Sequence, residues 1–383
     1  MRVAILASDS REVVRSYIET EPSFGTAPTA LLQGMALIPG LEVHVVSCLQ
    51  KPVAAPEKIA PNIWYHALHV PKSGWMRTGY QGCIRAVRKK LKVIQPDIVH
   101  GQGTERECAI SAVFSGFPNV ITIHGNMAEL ARLFHAPIGS FGWLAARFEN
   151  FTLKRTEGVF CNSTYTESLV QPRTRQTWLI PNPIREQFFS TPLPLAIFNK
   201  CILINVGVIS QRKRQVELLE LGEKLYRKGF HFEFQFIGPA DSRNPYAVDF
   251  LTRIKKAEDA GYARYLGPKS SSELVACFDQ ASALLHFPSE EAFGLVVAEG
   301  LARNLKLFGS RIGGISDIAS EVRGAELFAL DDWNELGSAI AKWISEGFPK
   351  ISNAANLIQS RYHPQIIARR HSEIYAEVLN SSS

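Results

Sequence analysis

The chain has 383 residues, of which 46% are hydrophobic and 20% charged, with a formal net charge of +6. That length exceeds one ordinary domain and fits two of about 150–200 residues, and the composition excludes a disordered chain. The small positive charge suits phosphate-bearing substrates or anionic lipid and identifies neither. No apolar run approaches the length of a spanning helix. The start, MRVAILASDS, is too short in its apolar part for a secretory signal and reads as a buried first strand. Cys48, Cys83, Cys108, Cys161, Cys201 and Cys277 form no CxxC pair, so a disulfide framework or structural zinc is not expected and a reducing cytoplasm is.

In chain order, VAIL (3–6), EVHVVS (42–47), DIVH (97–100), NVITIH (119–124), GVFC (158–161) and TWLIP (177–181) read as strands. Helical patterns at 27–38, 80–94, 142–155 and 164–170 lie between them. Strands alternating with helices predict a parallel sheet covered on both faces. The pattern pauses over PNPIREQFFSTPLPLAIFNK (181–200), which holds four prolines and suits a linker. It restarts with strands at 201–209, 232–238, 263–267, 282–287, 305–310 and 326–330. Helices fit 213–229, 246–259, 271–279, 295–303, 314–322 and 332–346. The expected organisation is one Rossmann-like domain over 1–183, a linker over 184–199, a second Rossmann-like domain over 200–362, and a helix over 363–383. That last helix either packs back on the first domain or caps the second. Two doubly wound domains facing each other would place a ligand cleft at the carboxyl ends of both sheets.

The most informative stretch is LLHFPSEEAFGLVVAEGL (284–301). A buried strand ends at Phe287, Pro288 and Ser289 turn the chain, and two acids precede Phe293, Gly294 and an apolar helix. Gly294 permits close backbone approach. The amides of Gly294, Leu295 and Val296 would open the helix, and such a start favours phosphate. Acids just ahead of a phosphate site make sense if they bind hydroxyl groups: Glu291 a sugar hydroxyl, Glu299 the ribose pair. The run resembles the E-x7-E motif of the family-4 retaining glycosyltransferases, which have the GT-B fold, with Glu291 and Glu299 at the motif's separation. FGTAPTALLQGMALIPGLEVHVV (24–46), PDIVHGQ (96–102), ITIHGN (121–126), LIPNPI (179–184), FIG (236–238), LGPKSSSELVACFDQAS (266–282) and GSRIGGISDI (309–318) follow the family's order.

The resemblance implies an acceptor-binding first domain and a donor-binding second one. It implies retention at the anomeric carbon and a nucleotide diphosphate sugar as substrate, with uridine favoured and guanosine next. Lys213 in GVISQRKRQ (207–215) stands where the family has its phosphate lysine, while Val208 stands where it has an arginine. Arg212 or Arg214 could supply the missing charge. Asn304 and Lys306 stand where small residues are usual, so either a donor loop is altered there or Lys306 faces solvent. His124 matches the histidine beside the transferring sugar. Gly25 and Thr26 match the first glycine loop near the donor phosphates, and His100 is expected to line the acceptor side. His286 is expected to be structural.

No D-x-D, GxxxxGK[ST] or GxGxxG occurs, which disfavours a metal-held diphosphate, a P-loop ATPase and a dinucleotide oxidoreductase. Ser289 and Ser310 lack a nearby base in their sequence context, so a serine hydrolase has little support. No metal, cofactor or nucleic-acid partner is expected. The partners implied are a nucleotide-sugar donor and a saccharide or lipid-linked acceptor, as in cell-envelope or extracellular polysaccharide synthesis. The stretch 72–92 mixes Trp75 and Tyr80 with seven basic residues, either to touch anionic membrane at the inner face or as a solvated helix face. Rival readings are a nucleotide-sugar binding protein without transferase activity, and a GT-B epimerase or phosphorylase.

Overall fold

The computed structural model describes residues 1–190 and 200–381. The chain divides into two compact units, Met1–Arg185 with Tyr362–Ser383, and Glu186–Arg361. Among the described residues no helix is long and apolar enough to cross a membrane.

The first unit holds β1 (Arg2–Leu6), β2 (Glu42–Leu49), β3 (Lys58–Ala60), β4 (Ile63–His69), β5 (Ile98–Gln102), β6 (Asn119–Ile123), β7 (Gly158–Cys161) and β8 (Thr177–Leu179). They form one sheet in the order β3-β4-β2-β1-β5-β6-β7-β8, parallel except for β3. β1, β5 and β6 are buried at nearly every position because helices cover both faces. Strand order reverses between β1 and β5, so the loops after those strands diverge and leave a crevice at their carboxyl ends. The hairpin β3-β4 and the helices Glu107–Val113 and Met127–Leu133 have no counterpart in the sequence reading. Both helices are seven residues long, too short for a clear 3.6-residue period.

The last helix, Pro364–Ser381, belongs to this unit. It buries Ile367, Ala368, Tyr375 and Val378 in the cluster that also holds Val3, Leu31, Met35 and Phe160. The Tyr375 hydroxyl lies 2.5 Å from Nδ1 of His100, and Thr122 Oγ1 lies 2.7 Å from its Nε2. His100 has no exposed surface and stacks on Phe160 and His371. The expectation that it lines an acceptor site is therefore corrected: its strand position turns the ring under the last helix. Of the expected linker, Ile184 is buried and Glu186–Phe189 form a 3-10 turn. Phe188 packs there beside Phe278, and Arg303 reaches the carbonyls of Phe188 and Ser190. The remainder, 191–199, lies outside the described residues.

The basic helix Gln81–Ile94 exposes Arg85, Arg88, Lys89 and Lys92. Trp75 and Tyr80, by contrast, are buried against the helix and Phe148. The aromatic half of the expected membrane surface is thus core, because both rings follow turns that point them inward.

The second unit holds β9 (Ile202–Val206), β10 (Glu233–Ile237), β11 (Ala263–Tyr265), β12 (Ala283–His286), β13 (Lys306–Ser310) and β14 (Ala325–Phe328), all parallel, in the order β11-β10-β9-β12-β13-β14. Its order reverses between β9 and β12. Asn304 and Lys306 sit at the amino end of β13, the opposite edge from that reversal. Asn304 adopts a left-handed conformation and accepts from the Ala355 amide at 2.9 Å. Lys306 is buried and paired with Glu326, so it neither faces solvent nor alters a loop at the carboxyl edge.

The His100 network yields a stability prediction. Tyr375→Phe leaves a buried imidazole nitrogen without its partner and should cost about 1–2 kcal/mol. Urea unfolding of the variant checks this, and an unchanged midpoint would contradict the packing role.

Candidate active site

In the second unit the loops after β9 and β12 meet at the strand-order reversal. The first begins at Gly207, whose amide donates to Ile237 at 2.9 Å. Gly238 has φ +141°, and a Cβ there would lie 2.0 Å from the Gly207 carbonyl oxygen. No other residue lets the two loops pass this closely. Gln215, fully buried, holds the loop from inside: its Oε1 accepts from the Ser210 amide at 3.2 Å and its Nε2 donates to the Val208 carbonyl at 3.1 Å. Residues 211–213 make a 3-10 turn that places Arg212 and Lys213 side by side.

The second loop leaves β12 at Phe287 and is tied to the first by Ser289, whose amide donates to the Arg212 carbonyl at 2.8 Å. It then presents Glu290 and Glu291 to the two cations. Arg212 Nη1 lies 3.2 Å from Glu290 Oε2 and 4.0 Å from Glu291 Oε1. The Lys213 ammonium pairs directly with Glu291. His286 Nε2 lies 3.1 Å from Glu291 Oε2 from below. Burial alone would push the Glu291 carboxyl up, but Lys213, His286 and Arg212 hold it well below the usual carboxylate range. Burial raises Glu290 against the pull of Arg212. Burial and the nearby Lys213 bring His286 down to about 4, so its ring is neutral.

Past the acids, Gly294 takes φ +100° and opens the helix Leu295–Ala302. A side chain at Gly294 would be strained at that φ and would press on Ile315. The Leu295 and Val296 amides precede the first intrahelical bond, which runs from Val297 to Gly294, and so face out of the helix start. Phe293 is buried and contributes its backbone, which abuts Gly314. Glu299 is buried within the helix, one turn past its start. Of the two arginines that could replace the one missing at Val208, only Arg212 is here. Arg214 turns away to Asp331 and the Trp333 ring. Val208 itself is 55% exposed.

In the first unit, His124 follows β6 at the carboxyl edge. Its Nε2 lies 3.0 Å from Gln102 Oε1, and Gln102 Nε2 reaches back to His100 at 3.2 Å. Burial brings His124 down to about 4, against a hydrogen bond to Asn182 that raises it. The ring is therefore a neutral dipole fixed on two sides. Gly25 is exposed and caps the helix Thr26–Met35, of which Thr26 is the first residue.

Sequence reasoning missed Gln102, Gln215 and Glu105, and assigned His286 no role in the site. Glu105 accepts from the Gly125 amide at 3.1 Å beside His124. Burial, opposed by backbone amides and reinforced by Glu149, pushes its carboxyl up to about 7. Its position three residues past the end of β5 was the available signal. Gln102 and Gln215 gave none, because an uncharged amide is recognised only by what it touches.

Two doubly wound parallel units in one chain, with cations and a helix start gathered at the strand reversal of the second, are the GT-B class of nucleotide-sugar enzymes. Residues 30–188 match the family described as Glycosyltransferase Family 4, and residues 195–362 match Glycosyl transferases group 1. The chain belongs to the group 1 glycosyltransferases. The GPI3 subunit of phosphatidylinositol N-acetylglucosaminyltransferase from Saccharomyces cerevisiae is 23% identical over 315 residues, 78% of this chain and 67% of that protein. Among solved structures, sucrose-phosphate synthase from Thermosynechococcus elongatus superposes with a TM-score of 0.77 at 16% identity over 100% of both chains. Anabaena HepE in complex with UDP-glucose gives 0.70 at 16% identity, again over 100% of both.

The buried groups set a pH dependence. His66, His124, His286 and His371 are each brought down to about 4, chiefly by burial. An unfolded imidazole titrates near about 6.5, so below that pH the unfolded chain binds more protons and folded stability falls. Glu105 acts in the opposite sense, because its raised folded value favours the folded state as pH drops below about 7. The imidazoles outweigh the carboxyls that burial raises, Glu105, Glu107 and Glu290. Between pH of about 7.5 and 5.5, urea unfolding should show a net loss of roughly 2–4 kcal/mol. Equal or greater stability at the lower pH would contradict the neutral assignments.

Proposed function

We propose that this glycosyltransferase moves a hexose from a UDP-sugar to a saccharide or lipid-linked acceptor, with retention at the anomeric carbon and without a metal ion. The observation that carries the reading is the pairing of Arg212 and Lys213 with Glu290 and Glu291 at the start of the helix Leu295–Ala302. Cations and outward amides at one helix start are what a diphosphate leaving group requires. The UDP and UDP-glucose held by the HepE structures support uridine.

In this reading the diphosphate lies over Lys213, Arg212 and the amides of Leu295 and Val296, where negative charge grows as the sugar bond breaks. Gly25 and Thr26, at their own helix start in the first unit, are assigned to the donor phosphates by the family resemblance alone. Glu299 takes the ribose hydroxyls and Glu291 a hydroxyl of the sugar. His124, neutral and fixed, offers its carbonyl or ring dipole to the positive charge developing at the anomeric carbon. The acceptor hydroxyl attacks from the face the diphosphate leaves, and its proton passes to the departing phosphate. The work is electrostatic and positional, with no side chain acting as nucleophile. The exposed basic face of Gln81–Ile94 supports a cytoplasmic protein that meets anionic membrane at its inner surface. A second reading, nucleotide-sugar binding without transfer, is favoured by the exposed Val208 at the arginine position. Release of labelled sugar from UDP-glucose in the presence of cell-envelope lipids separates the two.

Three outcomes follow. Turnover should persist in excess EDTA; loss with EDTA and recovery with magnesium or manganese would overturn the leaving-group assignment. Lys213→Ala should lower turnover by about 2–4 kcal/mol in barrier, the scale of one electrostatic donor to a developing anion. Glu299→Ala should weaken free UDP by about 1.5–3 kcal/mol, a charged hydrogen bond. Calorimetric titration of the folded variant with UDP checks the last, and unchanged affinity would refute the ribose contact.

A further inference from the structure

The charges at the helix start are already balanced before any donor arrives. Arg212 is committed to Glu290, Lys213 to Glu291, and Arg214 to Asp331. A sugar nucleotide brings two negative charges to this place. The two cations can meet them only by loosening their hold on two carboxylates that are themselves largely buried. A buried carboxylate stripped of its counter-charge is among the costliest arrangements in a protein, costlier than a buried N–H without an acceptor. Uptake of protons relieves it.

The cluster contains two vacant seats for them. Nδ1 of His286 and Oε1 of Glu290 are both buried and have no hydrogen-bond partner. His286 already approaches Glu291 through Nε2, so a proton at Nδ1 would make it a cation in contact with that carboxylate. The groups facing His286 are Lys213, Glu291 and Arg212; those facing Glu290 are Arg212, Glu291 and Lys213. Drawing either cation toward a diphosphate removes what keeps both seats empty.

We propose that His286 and Glu290 are positioning residues that take up protons when a sugar nucleotide binds, so that His286 replaces Lys213 as the partner of Glu291 and Glu290 becomes neutral as Arg212 turns to the diphosphate. This rests on the reading that the second unit binds the donor. Its consequence is that donor affinity rises as pH falls through the neutral range, while Glu291 stays ionised and aimed at the sugar.

Calorimetric titration of the full chain with UDP-glucose, whose diphosphate does not titrate near neutrality, tests it. Heats measured in PIPES and in imidazole at a pH of about 6.5 give the number of protons exchanged with buffer. The expected result is a net uptake of between about one and two protons, lost in the double variant His286→Gln with Glu290→Gln and reduced in each single variant. A merely structural role would change affinity or melting temperature and leave the proton count as it was. Binding with heats independent of buffer in the native protein overturns the inference alone, as does an uptake unchanged in the double variant. If neither UDP-glucose nor GDP-mannose binds the folded native chain, the donor reading itself fails and this inference with it.

Discussion

The structure of the second unit turns on one constraint: two carboxyls and two cations are packed together where β9 and β12 part. Each loop supplies one sign of charge, Arg212 and Lys213 from the first, Glu290 and Glu291 from the second. The pairings hold the loops against each other and are joined by the backbone bond from Ser289 to the Arg212 carbonyl. Without the cations, the acids would be buried charges beside a helix start that already favours anions. Without the acids, the cations would repel each other across the same gap. The mutual neutralisation holds the two loops together, and under the proposed function it is what a bound diphosphate would loosen.

The surroundings serve that cluster. Gln215 and the close passage of Gly207 over Gly238 fix the first loop, and Gly294 with Gly314 fixes the second. Apart from the Gln215 side chain these are backbone devices, and they fix the segments that carry the charged side chains. In the first unit the same logic appears in uncharged form. His124 is oriented by Gln102, Gln102 by His100, and His100 by Tyr375 of the last helix. Such a chain fixes the His124 ring, because a free imidazole would rotate or take a proton. The return of the last helix to the first unit thus bears on a residue at the carboxyl edge as well as on the core.

The amino-acid sequence by itself determined most of the fold and the identity of the charged residues. Apolar runs such as VAIL and ILINV could be nothing but buried strands, and the spacing of Glu291 and Glu299 around Gly294 marked the helix start. These features are local: a hydrophobic period or a motif of fixed spacing is written in neighbouring residues. The tertiary structure decided what depends on partners far apart in the chain. It showed that Arg212 and not Arg214 stands with Lys213, since the left-handed turn at Arg214 sends that side chain to Asp331. It moved His100 from a lining to a core role, because only the fold brings residue 375 onto residue 100. It placed Asn304 and Lys306 at the far edge of the sheet, and buried Trp75 and Tyr80 beneath a helix that looked like their neighbour on a surface. And it set Glu105 and His286 among other charges, where burial alters their ionisation; desolvation and pairing are properties of a site in space and leave no trace in the order of residues.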